Sequence, residues 1–178
     1  MQRLPRTGAP DDRYWMAHAL RLARHAARDG EVPVGAVVVQ DGQAIGASGN
    51  ASIGHLDPTG HAEVLALRAA AQARQAHRLD GATLYVTLEP CLMCCGAILN
   101  ARIARLVYGA REPRTGAVVS AFETLMPAAR HQHRVAITEG VLGANCAALL
   151  TRFFANRRDA QLGTRATMGR PDPSEPAS

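Results

Sequence analysis

The chain has 178 residues, a net charge of +5 and 47% hydrophobic residues, and it contains no run of 18 apolar residues. These values predict one domain with its own core and exclude a transmembrane helix. The first residues lack the apolar segment of a secretory signal, so we expect a cytoplasmic protein. All 20 basic residues are arginine, which contacts phosphates and bases better than lysine. From charge alone, a solvated basic surface is the slightly better interpretation.

Helical and strand patterns alternate along the chain. In chain order they predict a helix over 12–28, strands over 34–39 and 43–48, a helix over 60–75, a strand over 83–88, a helix over 92–100, strands over 105–108 and 136–138, and a helix over 145–158. This order predicts an α/β fold, a three-layer α/β/α sandwich around a mixed sheet. We expect one domain over 12–158, with flexible tails at 1–11 and 159–178. In the last helix, four residues are expected to face the core: Ala148, Leu149, Phe153 and Phe154.

Two short motifs, His61-Ala62-Glu63 and Pro90-Cys91-Leu92-Met93-Cys94, are typical of a catalytic zinc site. Alone, a C-x-x-C pair is more often half of a structural site or two buried thiols. Together the motifs supply one imidazole and two thiols, and three protein ligands leave the fourth tetrahedral position open for water. Cys95 is a poor fourth ligand, because neighbouring residues on a helix diverge by about 100°.

The predicted helix starts favour the same interpretation. Cys91 and Cys94 stand where a helix begins, and unpaired N–H groups there favour the thiolate form. Glu63 shares the first turn of the other helix with His61. Its carboxylate can therefore carry protons beside the metal without binding it.

The combined pattern is a known signature of zinc-dependent nucleobase deaminases. Further segments resemble the bacterial tRNA-specific adenosine deaminases of the cytidine/deoxycytidylate deaminase superfamily, and the resemblance spans residues 12–158. Those segments are Glu31-Val32-Pro33-Val34-Gly35-Ala36-Val37, Gly49-Asn50, Asp57-Pro58-Thr59-Gly60, Leu84-Tyr85-Val86-Thr87-Leu88-Glu89, Gly109-Ala110-Arg111, Thr115-Gly116-Ala117, His133-Arg134-Val135 and Ile137-Thr138-Glu139-Gly140.

The resemblance implies a five-stranded, cytidine deaminase-like sheet with helices on both faces, a homodimer and one Zn²⁺ per subunit. It implies hydrolytic deamination of adenosine to inosine at the wobble position of a tRNA anticodon, usually that of an arginine tRNA. The site residues it implies are the zinc ligands His61, Cys91 and Cys94, the proton carrier Glu63, and the nucleoside contacts Asn50 and Ala62. From the residues alone, Asn50 after Gly49 would be an ordinary turn residue.

Candidate RNA contacts lie outside the metal motifs, and at each position an ordinary surface side chain is an equal alternative. They are Arg111, Glu112, Arg114, Arg152, Arg157 and Arg158. An anticodon loop is single-stranded, so a base leaves it more easily than it leaves a duplex. The chain departs from the family pattern in several places. The departures are Gly60, Cys95, Glu112, Arg114 and Val119, and Gly60 predicts a looser helix start.

Two other functions fit the metal motifs. A deaminase of a free base or nucleoside, such as guanine or cytosine, would use the same chemistry. A non-catalytic, zinc-stabilised RNA-binding subunit would be expected to lack the glutamate of the first motif. Because Glu63 is present, the enzyme is favoured.

Overall fold

The computed structural model describes residues 11–125 and 133–168, which form four helices and five strands. The elements in chain order are α1 Asp12–Arg28, β1 Gly35–Gln40, β2 Gln43–Gly49, α2 Ala62–Arg74, β3 Thr83–Leu88, α3 Leu92–Asn100, β4 Arg105–Ala110, β5 Ala136–Glu139 and α4 Gly143–Met168. None of the helices in these ranges is both long and apolar enough to span a bilayer.

The strands form one mixed sheet in the order β2-β1-β3-β4-β5. β1 pairs antiparallel with both β2 and β3, whereas β3, β4 and β5 run parallel. One apolar core lies between the sheet and α2 and α3, and a second lies between the opposite face and α1 and α4. The predicted three-layer α/β/α sandwich with a five-stranded mixed sheet is confirmed.

The β1–β2 hairpin lies between two closely packed helices. Asp41 and Gly42 both have positive φ, 53° and 75°, as the type I′ turn of a two-residue hairpin requires. Side chains at Gly35 and Gly46 would collide with the backbones of α1 and α2 respectively. The two glycines therefore let a helix approach each face of the hairpin.

The last helix differs most from its prediction. α4 begins at Gly143 and runs to Met168, so residues 159–168 are helical rather than an unstructured part of the tail. The first proline after residue 158 is Pro171, so no proline interrupts the helix over residues 159–168. The inward orientation predicted for Phe154 is wrong, since 43% of its surface is exposed. The inward orientation predicted for Ala148 is also wrong, because its side chain is exposed, whereas Leu149 and Phe153 are half-buried. Among residues 143–160 of this helix, Cys146 is the one buried residue. Residues 1–10 and 169–178 of the predicted tails lie outside the described residues.

A partly buried network of polar side chains links α1 to three strands. Both carboxylate oxygens of Asp12 accept hydrogen bonds from the Arg105 guanidinium, at 2.8 and 2.7 Å, and the Tyr85 hydroxyl donates to the same carboxylate at 2.9 Å. Arg105 also donates to the Thr138 hydroxyl at 2.9 Å. The hydrogen bond from Arg105 is the largest cause that lowers the pKa of Asp12, and burial only partly opposes it.

We expect Asp12→Asn to lower the free energy of unfolding by about 1 kcal/mol at pH 7, because the ion pair is partly exposed. A lowered folded-state pKa stabilises the fold above the unfolded value, about pH 3.9, and this contribution is lost as the pH falls further. The difference between wild type and variant should therefore shrink below about pH 4. Urea unfolding across pH measures it.

Asp11→Asn is the matched control for this variant. Asp11 caps α1 by accepting a hydrogen bond from the N–H of Tyr14, and asparagine caps a helix equally well. Equal destabilisation by the two substitutions would contradict a specific contribution from the Asp12–Arg105 pair.

Candidate active site

One imidazole and two thiols meet at the carboxyl ends of the central strands. His61 is the N-cap residue of α2, Cys91 is the N-cap residue of α3, and Cys94 lies in the first turn of α3. The Nδ1 atom of His61 lies 3.6 Å from the Sγ atom of Cys91 and 3.5 Å from that of Cys94, and the two sulfurs are 3.7 Å apart. Within the described residues, these three form the one group of His, Cys, Asp or Glu side chains close enough to share a metal ion.

The three atoms fit a tetrahedral zinc. Zn–S bonds of about 2.3 Å and Zn–N bonds of about 2.0–2.1 Å place tetrahedral S–S edges near 3.8 Å and S–N edges near 3.6 Å. The observed separations match both values. Cys95 is fully buried, and its Sγ atom lies near the backbone oxygens of Pro90 and Ala117, so it packs in the core instead of joining the cluster.

The electrostatics of the two thiols suit a divalent cation. The hydrogen bond from Cys94 and the one shared with His61 lower the pKa of Cys91 to about 4, against the effect of burial. The same contact with Cys91, together with burial, raises the pKa of Cys94. Without a cation, the pair holds one negative charge. A divalent cation would remove the cost of the second thiolate.

Glu63 lies beside this cluster and is only 3% exposed. Its Oε2 atom is buried and has no hydrogen-bond partner among the described residues. Burial raises the pKa of Glu63, and the nearby His61 opposes that shift only in part. A buried carboxyl with an unpaired oxygen at the wall of a cavity is suited to accept and release a proton.

A hydrogen bond links the Asn50 side chain to the backbone of Ala62. The Oδ1 atom of Asn50 accepts a hydrogen bond from the N–H of Ala62 at 2.9 Å, and the His61 side chain does not cap the helix. Asn50 thus caps α2 from outside the helix, while its amide NH₂ group remains a donor at the cavity wall. The start of α2 is closely packed rather than loose, because a Cβ at Gly60 would lie 3.0 Å from the Asp57 carbonyl oxygen.

Glu89 holds the loop that follows β4, and the sequence did not reveal this role. Its Oε1 atom accepts the N–H groups of Val118, Val119 and Ser120 at 3.1, 2.8 and 2.9 Å. Its Oε2 atom accepts the N–H of Glu112 at 3.0 Å and the Ser120 hydroxyl. Burial alone would raise the pKa of Glu89, but these hydrogen bonds outweigh it and lower the pKa. The signal that could have pointed to it is an acidic residue in an otherwise buried strand end.

These groups line a cavity of about 200 Å³. Its walls are formed by Val32, Val34, Asn50, His61, Glu63, Leu88, Glu89, Cys91, Glu112 and Thr115. Two members of the His/Cys/Cys cluster, the buried carboxyl of Glu63 and the Asn50 amide thus line one space of limited size. Such a space suits a planar base that packs between apolar walls and is recognised through hydrogen bonds to a few polar groups.

The structure divides the candidate RNA contacts into two groups on either side of α4. Arg111, Glu112, Arg114 and Arg158 border a second cavity, of about 500 Å³, which shares Leu88 and Glu112 with the first. Arg152 lies on the other side of α4, and Arg157 lies over the Phe153 ring at 5.6 Å. Arg111 is tied to Glu139 by hydrogen bonds of 2.7 and 3.0 Å.

Comparison with known proteins agrees with this geometry. The family model of the MafB19-like deaminases matches residues 10–157. A tRNA-specific adenosine deaminase of Haemophilus influenzae is 48% identical over 149 residues, which cover 83% of this chain and 86% of the relative. One from Bacillus subtilis is 36% identical, covering 88% and 97%. The chain belongs to the tRNA-specific adenosine deaminases.

Solved structures of other deaminases have the same fold as this family member. A structure from a study of A-to-I editing by tRNA:A34 deaminases superimposes with a TM-score of 0.71 at 45% identity, covering 76% of this chain and 98% of that one. A guanine deaminase from Nitrosomonas europaea gives 0.69 at 26% identity, covering 85% and 88%. The fold is therefore shared by enzymes that act on a tRNA and on a free base.

We expect Cys94→Ser to lose bound zinc, because a serine hydroxyl replaces one of the two thiolates. Metal content of the purified protein measures the loss. Cys95→Ser is the control, since Cys95 is adjacent in sequence and equally buried but points away from the cluster. Equal loss of zinc from both variants would contradict the assignment of Cys94 as a ligand.

Proposed function

We propose that this protein converts adenosine to inosine at position 34, the wobble position, of a tRNA anticodon, with one Zn²⁺ per subunit held by His61, Cys91 and Cys94. The observation that carries the chemistry is the buried, unpaired carboxylate of Glu63 beside a His/Cys/Cys cluster in one cavity. The relatives named tRNA-specific adenosine deaminase support the substrate. Following the family, we propose an arginine tRNA, and the cytoplasm as the place of action.

Zinc, when bound, supplies a Lewis acid that brings the pKa of a water molecule to about 7 and so makes it a nucleophile at neutral pH. Glu63 accepts a proton from the attacking water and delivers it to N1 of adenine. The Glu63 carboxylate then takes the second proton of that water, from the hydroxyl group now on C6, and passes it to the amino group. The amino group leaves C6 as ammonia, and the C6 carbonyl of inosine remains. Each transfer needs a carboxyl group that can hold and release a proton, and burial raises the pKa of Glu63, which favours the protonated form.

The remaining residues hold and orient the base. The amide NH₂ of Asn50 donates to the nucleoside, because its Oδ1 atom is already engaged by Ala62. Val32, Val34 and Leu88 supply apolar walls that exclude water. Glu112 and Thr115 reach the cavity from the loop that Glu89 holds, so this loop is formed before the substrate arrives.

We also propose that the protein acts as a homodimer. Two large apolar side chains near the start of α2, Ile53 and Leu56, are 56% and 89% exposed. Leu92 and Met93 are 50% and 36% exposed at the start of α3. Apolar surface of this kind is commonly covered by a partner. A mass in solution of twice the 18.9 kDa chain mass would support the dimer, and the single-chain mass would contradict it.

Incubation with different substrates tests the proposed function. The zinc-loaded protein is given an arginine tRNA with adenosine at position 34 and, separately, free guanine and free cytosine. We expect inosine in the digested tRNA, detected by mass spectrometry, and no ammonia from either free base. Release of ammonia from guanine with no inosine in the tRNA would overturn the proposal and favour the free-base activity named for the structural relative from Nitrosomonas europaea.

We expect Glu63→Gln to lower the turnover of tRNA by about 10²–10⁴-fold, because an amide of the same size cannot carry the proton. Zinc content and thermal stability should be retained, since Glu63 is not a metal ligand. Glu123→Gln, which changes an exposed glutamate, is the control and should remain active. Activity of the Glu63 variant within twofold of wild type would contradict the role of proton carrier.

A further inference from the structure

A groove lined by three arginines lies between α1 and α4, outside the catalytic cavity. Arg24 and Arg28 from the second half of α1 and Arg152 from α4 form its charged walls, and Leu149 and Phe153 form its apolar side. We call these three residues with their enclosed space of about 300 Å³ the arginine groove. In the part of the chain that the structure describes, the salt bridges are made by other arginines, Arg68, Arg105 and Arg111.

The charge of the arginine groove does little for the fold. Arg28 lies in the last turn of α1, where a positive charge is mildly stabilising, but Arg24 and Arg152 have no such position. Three guanidinium groups around one concavity repel one another. An anion between them would relieve this repulsion, and planar guanidinium groups suit phosphate oxygens in particular.

The two helices that form the arginine groove also lead to, or border, the cavities at the catalytic site. The end of α1 leads through Glu31 to Val32 and Val34, which line the catalytic cavity. The opposite side of α4 borders the second cavity, which shares Leu88 and Glu112 with the catalytic one. α4 therefore lies between the arginine groove and the space through which a polynucleotide would leave the site.

We propose that the arginine groove binds the sugar-phosphate backbone of the tRNA substrate, at nucleotides other than those that enter the catalytic cavity. This inference rests on the proposed function, because it takes the substrate to be a polyanion that extends beyond one nucleoside. The contact is to phosphates, so it adds affinity without reading sequence.

The test compares two double variants that remove the same charge. Arg24→Gln with Arg28→Gln alters the groove. Arg74→Gln with Arg78→Gln is the control, because these two exposed arginines have the same spacing but lie at the far end of α2 from His61. That helix has 13 residues, so Arg74 at its C-terminal end lies about 20 Å from His61 at its N-cap, and Arg78 follows in the connection to β3. Affinity for tRNA is measured by fluorescence anisotropy from 50 to 200 mM salt, in an otherwise inactive Glu63→Gln background.

Each phosphate contact contributes roughly 0.7 to 0.9 to the slope of log affinity against log salt. We expect the groove variant to lower that slope by about 1.4 to 1.8 relative to the control variant. In the background with Glu63 intact, the loss should appear mainly in KM. Arg24→Gln alone should lower the slope by about half as much, which provides a measurement if the double variant folds poorly.

A slope equal to that of the control variant would overturn the proposal. The proposed function is tested by a different measurement. It predicts that the wild-type protein forms inosine in tRNA, whereas the groove proposal predicts the salt dependence of tRNA binding. A protein that binds tRNA through the groove but forms no inosine would refute only the function. One that forms inosine with an unchanged salt slope would refute only the groove.

Discussion

The helices α2 and α3 begin beside one another at the carboxyl ends of the central strands. The candidate active site depends on the proximity of these two helix N-termini. Their N-cap residues, His61 and Cys91, bring two of the three proposed zinc ligands together from different helices. A helix start presents unpaired N–H groups and a partial positive charge, which favour a thiolate. The parallel pairing of β3 with β4 fixes where α3 starts, and the glycine-lined hairpin fixes how closely α2 approaches. The sheet therefore sets the metal geometry.

Three glutamates are buried to the same extent around this site, and their partners give them different roles. Glu31 accepts the N–H groups of Ile53 and Gly54, at 2.7 and 2.8 Å, and so holds the loop before α2. Glu89 accepts several N–H groups, has a lowered pKa and holds the loop after β4. Glu63 has an unpaired oxygen and a raised pKa. Environments that push the pKa values of carboxyl groups apart separate the proton carrier from the structural acids.

Periodicity and turn chemistry predicted most elements, because strands such as Thr83–Leu88 and helices such as Leu92–Asn100 have strong local signals. The metal cluster was also predictable, since its residue types and spacing have few other uses. The role of Glu89 was not predictable, because its partners are backbone N–H groups in an irregular segment without periodicity. The outward face of α4 was not predictable either, because pairs of adjacent apolar residues such as Leu149-Leu150 and Phe153-Phe154 do not reveal which side of the helix meets the sheet.

The hydrogen bond between Asn50 and Ala62 limits how the base preference of this enzyme can be redesigned. The Asn50 side chain, which lines the cavity and is our proposed contact to the base, also caps the first turn of the helix that follows His61 and carries Glu63. A substitution chosen to fit a different base would disturb the metal ligand and the proton carrier together. Retargeting is better directed at Glu112 and Thr115, whose loop is held from behind by Glu89 and can change its surface while keeping its shape.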